Sequence, residues 1–151
     1  MKLKYTDTFK KFNENNINYI FRKGNENDLK SIKKLTNKLR KELPFVMNVV
    51  LKDAIKRDEL YVCEYNDYII GFVHFYKRND GWTTLHEIGV DPDFQKMSIG
   101  KKLYEFVPKP IRLKTTVDNE KSNSFYEKLG LKLLKKEKGK VRELNVWIDE
   151  K

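Results

Sequence analysis

Ile88-Gly89-Val90-Asp91-Pro92-Asp93-Phe94-Gln95-Lys96-Met97-Ser98-Ile99-Gly100-Lys101-Lys102-Leu103 places a strand, a tight loop and the start of a helix in sixteen residues. The strand begins near Trp82 and stops at Asp91-Pro92. A short helix is expected over 98–107, with Ile99, Leu103, Phe106 and Val107 turned inward until Pro108 and Pro110 end it. Such a loop presents successive backbone N–H groups, and the helix dipole adds positive potential at the same end. Those donors can hold a pyrophosphate with no side chain required. Lys96, Lys101 and Lys102 would add charge around the same anion.

Working outward, Leu60–Tyr65 and Tyr68–Tyr76 read as strands joined by Asn66-Asp67, a two-residue hairpin connection. The second is almost wholly apolar, which places it mid-sheet and covered on both faces. Asn79-Asp80-Gly81 turns the chain into the strand from Trp82. Further upstream, Asn18–Arg22 is a strand ended by Gly24, Asn25 and Asn27. A helix capped by Asn27 or Asp28 carries Leu29, Ile32, Leu35, Leu39 and Leu43 at spacings of three and four up to Pro44. A second helix follows, with Val46, Val49, Val50 and Ala54 as its apolar face. Residues 1–16, lysine-rich and anchored only by Tyr5, Phe9 and Phe12, read as an N-terminal extension or short helix, and 17–151 as one domain. Downstream, Ile111, Leu113, Thr115 and Val117 alternate as a strand. Asp118 or Asn119 starts a helix through Phe125, Tyr126 and Leu129, and Gly130 sits where a left-handed C-terminal cap belongs. Leu131–Lys136 and Val141–Ile148 form a closing hairpin around Gly139.

The 151 residues are 39% hydrophobic and 36% charged, enough for a core under a heavily solvated surface. A chain of this length buries roughly 68–70% of its unfolded surface, so metal or disulfide staples are unnecessary. Cys63 is the single cysteine, which excludes an intrachain disulfide. The formal charge of +10 attracts polyanions, yet 26 of the 32 basic residues are Lys and they are spread along the chain. Nucleic-acid readout favours the bidentate guanidinium of Arg, so a nucleic-acid partner is disfavoured. The longest apolar-dominated run is Tyr68–Tyr76, far short of the roughly 20 residues that span a bilayer. With no apolar h-region in MKLKYTDTFKKFNENN, the expected location is the cytoplasm, with no membrane partner. The seven glycines form neither GxxxxGK[ST] nor GxGxxG, the His and Cys residues lack zinc spacing, and no GxSxG occurs. Chemistry here is expected to run without metal or a serine nucleophile.

The chain resembles the GNAT superfamily of acyl-CoA N-acyltransferases. Gln95-Lys96-Met97-Ser98-Ile99-Gly100 after Val90-Asp91-Pro92 is similar to the family's Gln/Arg-x-x-Gly-x-Gly/Ala pyrophosphate loop after Val-x-Pro. Asn119-Glu120-Lys121-Ser122-Asn123-Ser124-Phe125-Tyr126-Glu127-Lys128-Leu129-Gly130-Leu131 resembles its N-x-x-A-x-x-x-Y-x-K-x-G-F block, and the two blocks stand in the family's order. Ser98 departs from the pattern, standing where the loop has its first glycine. The resemblance implies an α/β fold with a central, mostly antiparallel mixed sheet splayed between its fourth and fifth strands, flanked by about four helices. It also implies acetyl-CoA as cosubstrate, bound by Ile88, Gly89 and Val90 along the pantetheine arm, by Gln95, Lys96, Met97, Ser98, Ile99, Gly100 and Lys101 at the diphosphate, and by Asn119 and Ser122 nearby.

The implied reaction is direct attack of a primary amine on acetyl-CoA. An alkyl amine with pKa near 10.4 is neutral only about once in a few thousand molecules at pH 7, so a base is useful. In the family the strand before the loop often supplies it. His86 ranks first, because imidazole titrates nearest neutrality, and Glu87 second. Strict alternation puts them on opposite faces. A structural, hydrogen-bonded role for His86 stays open, and His74 inside its apolar strand reads as structural. By resemblance Tyr126 is the general acid toward the departing thiolate, since a tyrosine hydroxyl stays protonated at neutral pH. The acceptor is an unidentified amine, and monomer and homodimer are equally compatible. A catalytically degenerate CoA-binding or protein-interaction module is the alternative, supported by Ser98. A basic nucleic-acid-binding domain is the third reading, resting on charge alone.

Overall fold

The computed structural model describes residues 9–14, 17–40, 48–95 and 98–151. Its strands are β1 (Phe9–Glu14), β2 (Ile17–Lys23), β3 (Leu60–Tyr65), β4 (Tyr68–Lys77), β5 (Thr83–Val90), β6 (Ile111–Thr116), β7 (Lys132–Lys138) and β8 (Glu143–Asp149). Its helices are α1 (Leu29–Lys38), α2 (Asn48–Lys56), α3 (Ile99–Tyr104) and α4 (Glu120–Lys128). The class is α/β with a mixed sheet, as expected. The chain divides into two compact units: residues up to Phe75 together with Glu87–Phe106, and Tyr76–His86 together with Val107–Lys151. Among the described residues no helix is long and apolar enough to cross a membrane.

In the first unit the strand order is β1-β2-β3-β4-β5. The expected extension or short helix is, over Phe9–Glu14, an antiparallel strand in register from Phe9 opposite Arg22 to Glu14 opposite Ile17. Phe9 and Phe12 have helical spacing, but pairing along β2 satisfies the backbone polar groups that the two strands turn toward each other. Asn66 and Asp67 have φ of 50° and 66°, the left-handed pair that a hairpin matched to strand twist requires and that these side chains tolerate. Ile69 through Phe75 are all buried, so β4 has the central place its composition demanded.

The α1 stripe behaves as its spacing predicts: Ile32, Leu35 and Leu39 join Leu51, Ala54, Leu60, Val62 and Phe72 in one core cluster, with Leu29 at its edge. Leu43, Pro44 and Val46 lie outside the described residues. The expected face of α2 is corrected. Leu51 and Ala54 are buried with Ile55 packed beside them, a spacing of three and four, and this register leaves Val49 63% and Val50 43% exposed. At the start of α1, Arg22 on β2 donates to both carboxylate oxygens of Asp28 at 2.8 Å and, through Nε, to Glu64 on β3 at 2.7 Å. The Asp28 hydrogen bonds lead in holding this guanidinium even more firmly charged than usual, against the opposing effect of burial. On α3, Ile99 and Leu103 pack so closely on β4 that a Cβ at Gly71 would stand 3.1 Å from Leu103 Cδ1 and 3.2 Å from Ile99 Cγ2. Phe106, expected inward, is half-buried and stacks on Tyr61 with ring centroids 4.5 Å apart.

In the second unit β5 pairs in parallel with β6, and β6-β8-β7 follow as antiparallel neighbours. Counted from β2, β5 and β6 are the fourth and fifth strands, where splaying is expected. Their pairing covers Thr83 opposite Ile111 and Thr84 opposite Arg112. Gly130 has φ 96° after the last residue of α4, the left-handed cap anticipated there. A Cβ at Gly139 would lie 2.5 Å from the Arg142 carbonyl oxygen, so the turn between β7 and β8 admits only glycine without moving.

Candidate active site

β5 separates the two candidate bases by side-chain alternation. Thr83, Leu85 and Glu87 are buried, His86 is exposed, and Thr84 and Ile88 are half-buried. Glu87 therefore points into the first unit, where its Oε1 stands 3.9 Å from His74 Nδ1, too far for a hydrogen bond. That oxygen accepts no hydrogen bond among the described residues. His86 instead lines a cavity of about 400 Å3 in the second unit, together with Arg78, Thr84, Leu85, Arg112, Leu113 and Lys114. The two residues that the sequence ranked together are thus not brought together.

The segment after β5 is held by its own side chains and by contacts from β4 and α1. Asp91 N donates to Ile70 O at 2.8 Å, Asp91 Oδ1 accepts from Asp93 N at 3.0 Å, and Lys38 Nζ reaches Asp91 Oδ2 from α1 at 2.8 Å. That hydrogen bond from Lys38, with the nearby Asp91 charge, raises the Lys38 ammonium above its ordinary value. Gln95 Nε2 donates to Val90 O at 3.0 Å, so this side chain closes the loop onto the strand end. Lys96 and Met97 lie outside the described residues. Ser98 stands at the N-cap of α3 with φ 61° and ψ 19°, the left-handed conformation that glycine adopts freely and other L residues at a cost of roughly 1–2 kcal/mol. Its hydroxyl makes no cap hydrogen bond. Ile99 is wholly buried, so only its backbone can meet a ligand, while Lys101 is exposed and Gly100 half-buried. Lys102 N donates to Ser98 O at 3.2 Å, which leaves the amides of Ile99, Gly100 and Lys101 without an acceptor inside the helix. These amides, with Lys101 and Lys102 and no carboxylate from Gln95 through Tyr104 among the described residues, fit a diphosphate. Ile88, half-buried, and Gly89 and Val90, buried, lead into this turn.

On α4, Asn119 Oδ1 accepts from Ser122 N at 3.2 Å, so both expected cofactor residues are engaged in capping the helix. Tyr126 is 7% exposed and lies edge-on to Phe125, with centroids 5.1 Å apart. Sequence reasoning missed Asn123. Its Nδ2 donates to the carbonyls of Thr116 and Val117 at 3.1 and 3.2 Å. Its Oδ1 accepts from the Thr115 hydroxyl, from Asn145 Nδ2 at 3.2 Å and from Trp147 Nε1 at 3.2 Å. An Asn on a helix four residues after its cap is the available signal, because a polar side chain there must find partners off the helix.

A second cavity of about 460 Å3 lies in the first unit, where Lys34, Leu35 and Lys38 of α1 face Tyr65, Tyr68 and Phe94. Asp91 and Asp93 also line it. Among the described residues no three His, Cys, Asp or Glu side chains converge as metal ligands.

Several solved structures share this architecture. Naa50 from Arabidopsis thaliana, in complex with the bisubstrate analogue CoA-Ac-MVNAL, superposes with a TM-score of 0.72 over 88% of this chain and 99% of that one, at 20% identity. Ard1 from Thermoplasma volcanium gives 0.73 over 87% and 96% at 16% identity. A GNAT-family acetyltransferase from Bacillus cereus gives 0.73 over 88% and 97% at 17% identity. At such identities the likeness establishes fold alone. No curated protein matches the chain. Residues 32–131, well over half the sequence and including β5, the loop and α4, match the Acetyltransferase (GNAT) family. The chain belongs to the GNAT family of acetyltransferases.

Proposed function

We propose that this protein transfers an acetyl group from acetyl-CoA to a primary amine by direct attack, with no covalent enzyme intermediate. The observation that carries the reading is the start of α3: Ser98 is left-handed there, the amides of Ile99, Gly100 and Lys101 are open to an anion, and Gln95 donates to Val90 O at the end of β5. Acetyl-CoA supplies the acetyl group as a thioester. The loop amides bind its diphosphate, and a backbone N–H near Val90 polarises the thioester carbonyl. His86, exposed at its cavity, takes the proton from the attacking amine directly or through water, while buried Glu87 ranks second. Tyr126, by the family pattern, gives its hydroxyl proton to the departing thiolate.

Acetyl-CoA should raise the melting temperature and shift the amide NMR signals of 98–101, and thiol release should follow when amine classes are added. Tyr126→Phe should lower turnover more than CoA affinity. Saturating acetyl-CoA that moves neither observable would overturn the proposal, and burst kinetics would overturn direct attack. A CoA-binding or interaction module without catalysis is the second reading, favoured by the strained Ser98. It predicts a thermal shift and no thiol release with any amine.

A further inference from the structure

The geometry around His86 points to an anionic acceptor: we propose that the amine carries its own carboxylates and that Arg112, with Lys114 and Arg78, holds them while the amino group meets His86. The inference rests on the N-acetyltransferase reading above and names the substrate class of that site.

The cavity that His86 lines receives three cationic side chains and no carboxylate from its lining residues. Arg78 is paired with Asp80 at 2.7 Å in a surface contact, and Lys114 with Glu137 at 2.6 Å. The hydrogen bond from Lys114, reinforced by the charges of Lys135 and Arg112, keeps the Glu137 carboxyl below its ordinary value despite some opposing desolvation. Arg112 differs from the other two. It is half-buried, and its charge acts on Glu137 without the close contact that Lys114 makes. It stands directly opposite Thr84 in the parallel β5–β6 register. Thr84 and His86 share one face of β5, and Arg112 and Lys114 share one face of β6.

Three cations against two carboxylates leave the cavity positive, and the planar donor fork of Arg112 matches a carboxylate bidentately. A polyamine or a lysine-rich peptide would meet repulsion here. The cavity beside α1 is charge-balanced, with Lys34 and Lys38 against Asp91 and Asp93 and Asp91 already paired to Lys38.

The test measures thiol release from acetyl-CoA by the full chain with short peptides of equal length and the same N-terminal serine. Positions two and three are Asp-Glu, Gln-Asn or Lys-Lys. Free glutamate, glutamine and lysine form a parallel series that separates peptide from amino-acid acceptors. The acidic member of at least one series should exceed its neutral counterpart at least tenfold in kcat/KM, with the lysine member poorest. The advantage should shrink as salt rises from about 50 to about 500 mM. Arg112→Gln should cut the acidic-to-neutral ratio about tenfold and Arg112→Lys restore part of it. A retained acetyl-CoA thermal shift in Arg112→Gln reports an intact fold. Equal or better turnover of neutral or lysine members, a ratio unmoved by Arg112→Gln, or acetyl-CoA binding with no turnover of any acidic amine would each overturn the anionic-acceptor proposal. Absence of acetyl-CoA binding overturns the acetyltransferase reading itself, a different result.

Discussion

Replacing Asn123 by Ala removes the carboxamide that ties α4 to β6 and β8. Its loss leaves the carbonyls of Thr116 and Val117 without that donor, and these half-buried groups can be rewetted. Trp147 Nε1 keeps a second acceptor, Thr115 Oγ1 at 3.1 Å. Asn145 fares worst. It is 6% exposed, its Oδ1 already accepts no hydrogen bond among the described residues, and its Nδ2 would lose Asn123. An orphaned buried amide costs about 1–3 kcal/mol and each net hydrogen bond lost about 0.5–1.5, so the substitution should destabilise by about 2–4 kcal/mol. For a chain of this size that lowers Tm by about 5–15 °C. Asn123→Asp should be no milder, since it keeps the acceptor edge but turns oxygen against two carbonyl oxygens. Denaturant unfolding of Asn123→Ala, Asn145→Ala and the double variant gives the coupling, expected at about 1–2 kcal/mol because the double variant removes the orphan. A single-variant loss below about 0.5 kcal/mol, or additive singles, would refute the reasoning.

Ser98→Gly should relieve the left-handed strain, raising stability by about 0.5–1 kcal/mol and tightening acetyl-CoA; denaturation of the apo protein and calorimetric titration measure the two effects. The Lys38–Asp91 contact has a definite pH sign. Because the Lys38 value is raised in the fold, its contribution is fully present below the ordinary 10.5 and is lost as pH climbs through the raised folded value. In Lys38→Met that alkaline component of the stability curve should be missing. The buried Cys63 thiol is pushed up, first by burial and then by the neighbouring Glu64 charge, so alkylation at neutral pH should proceed only as fast as the protein opens. Rapid stoichiometric alkylation of the folded protein would contradict its placement.

What could be read from the residues is what local rules dictate. Asn66-Asp67 announces a hairpin because both residues tolerate positive φ, and the apolar run of β4 has no solvated face to offer. The opposite facing of His86 and Glu87 follows from a period of two, with no bulge to disturb it in the burial pattern of β5. The failures are non-local or marginal. β1 needs β2 beside it before Phe9–Glu14 has any reason to extend. The face of α2 turns on whether Leu51–Ala54–Ile55 or the Val pair wins the core, and apolar positions this close together do not single out one stripe by their period. Gln95 carries the family's loop letter, yet its donor is spent on Val90 O, a contact that exists only once the turn closes.

The site follows a related logic. Ser98 was legible as a departure from a glycine, but its consequence depends on a backbone angle that letters do not encode. At φ 61° the residue adopts the left-handed conformation that glycine would adopt freely, and the amides of Ile99, Gly100 and Lys101 that follow it end without helix acceptors. Asn123 was missed for the converse reason: Thr115, Asn145 and Trp147 stand 8, 22 and 24 residues away, and no pattern within α4 points to them. A side chain whose partners are this remote does for α4 what Lys38 does for the strand end, fixing a helix against a strand by polar contact. Under the proposed reaction both contacts would hold the elements that carry Tyr126 and the anion-binding amides, and neither would touch the reacting atoms. Substitution at either should therefore appear first as lost stability, with turnover per folded molecule changing only as far as α4 or the loop shifts.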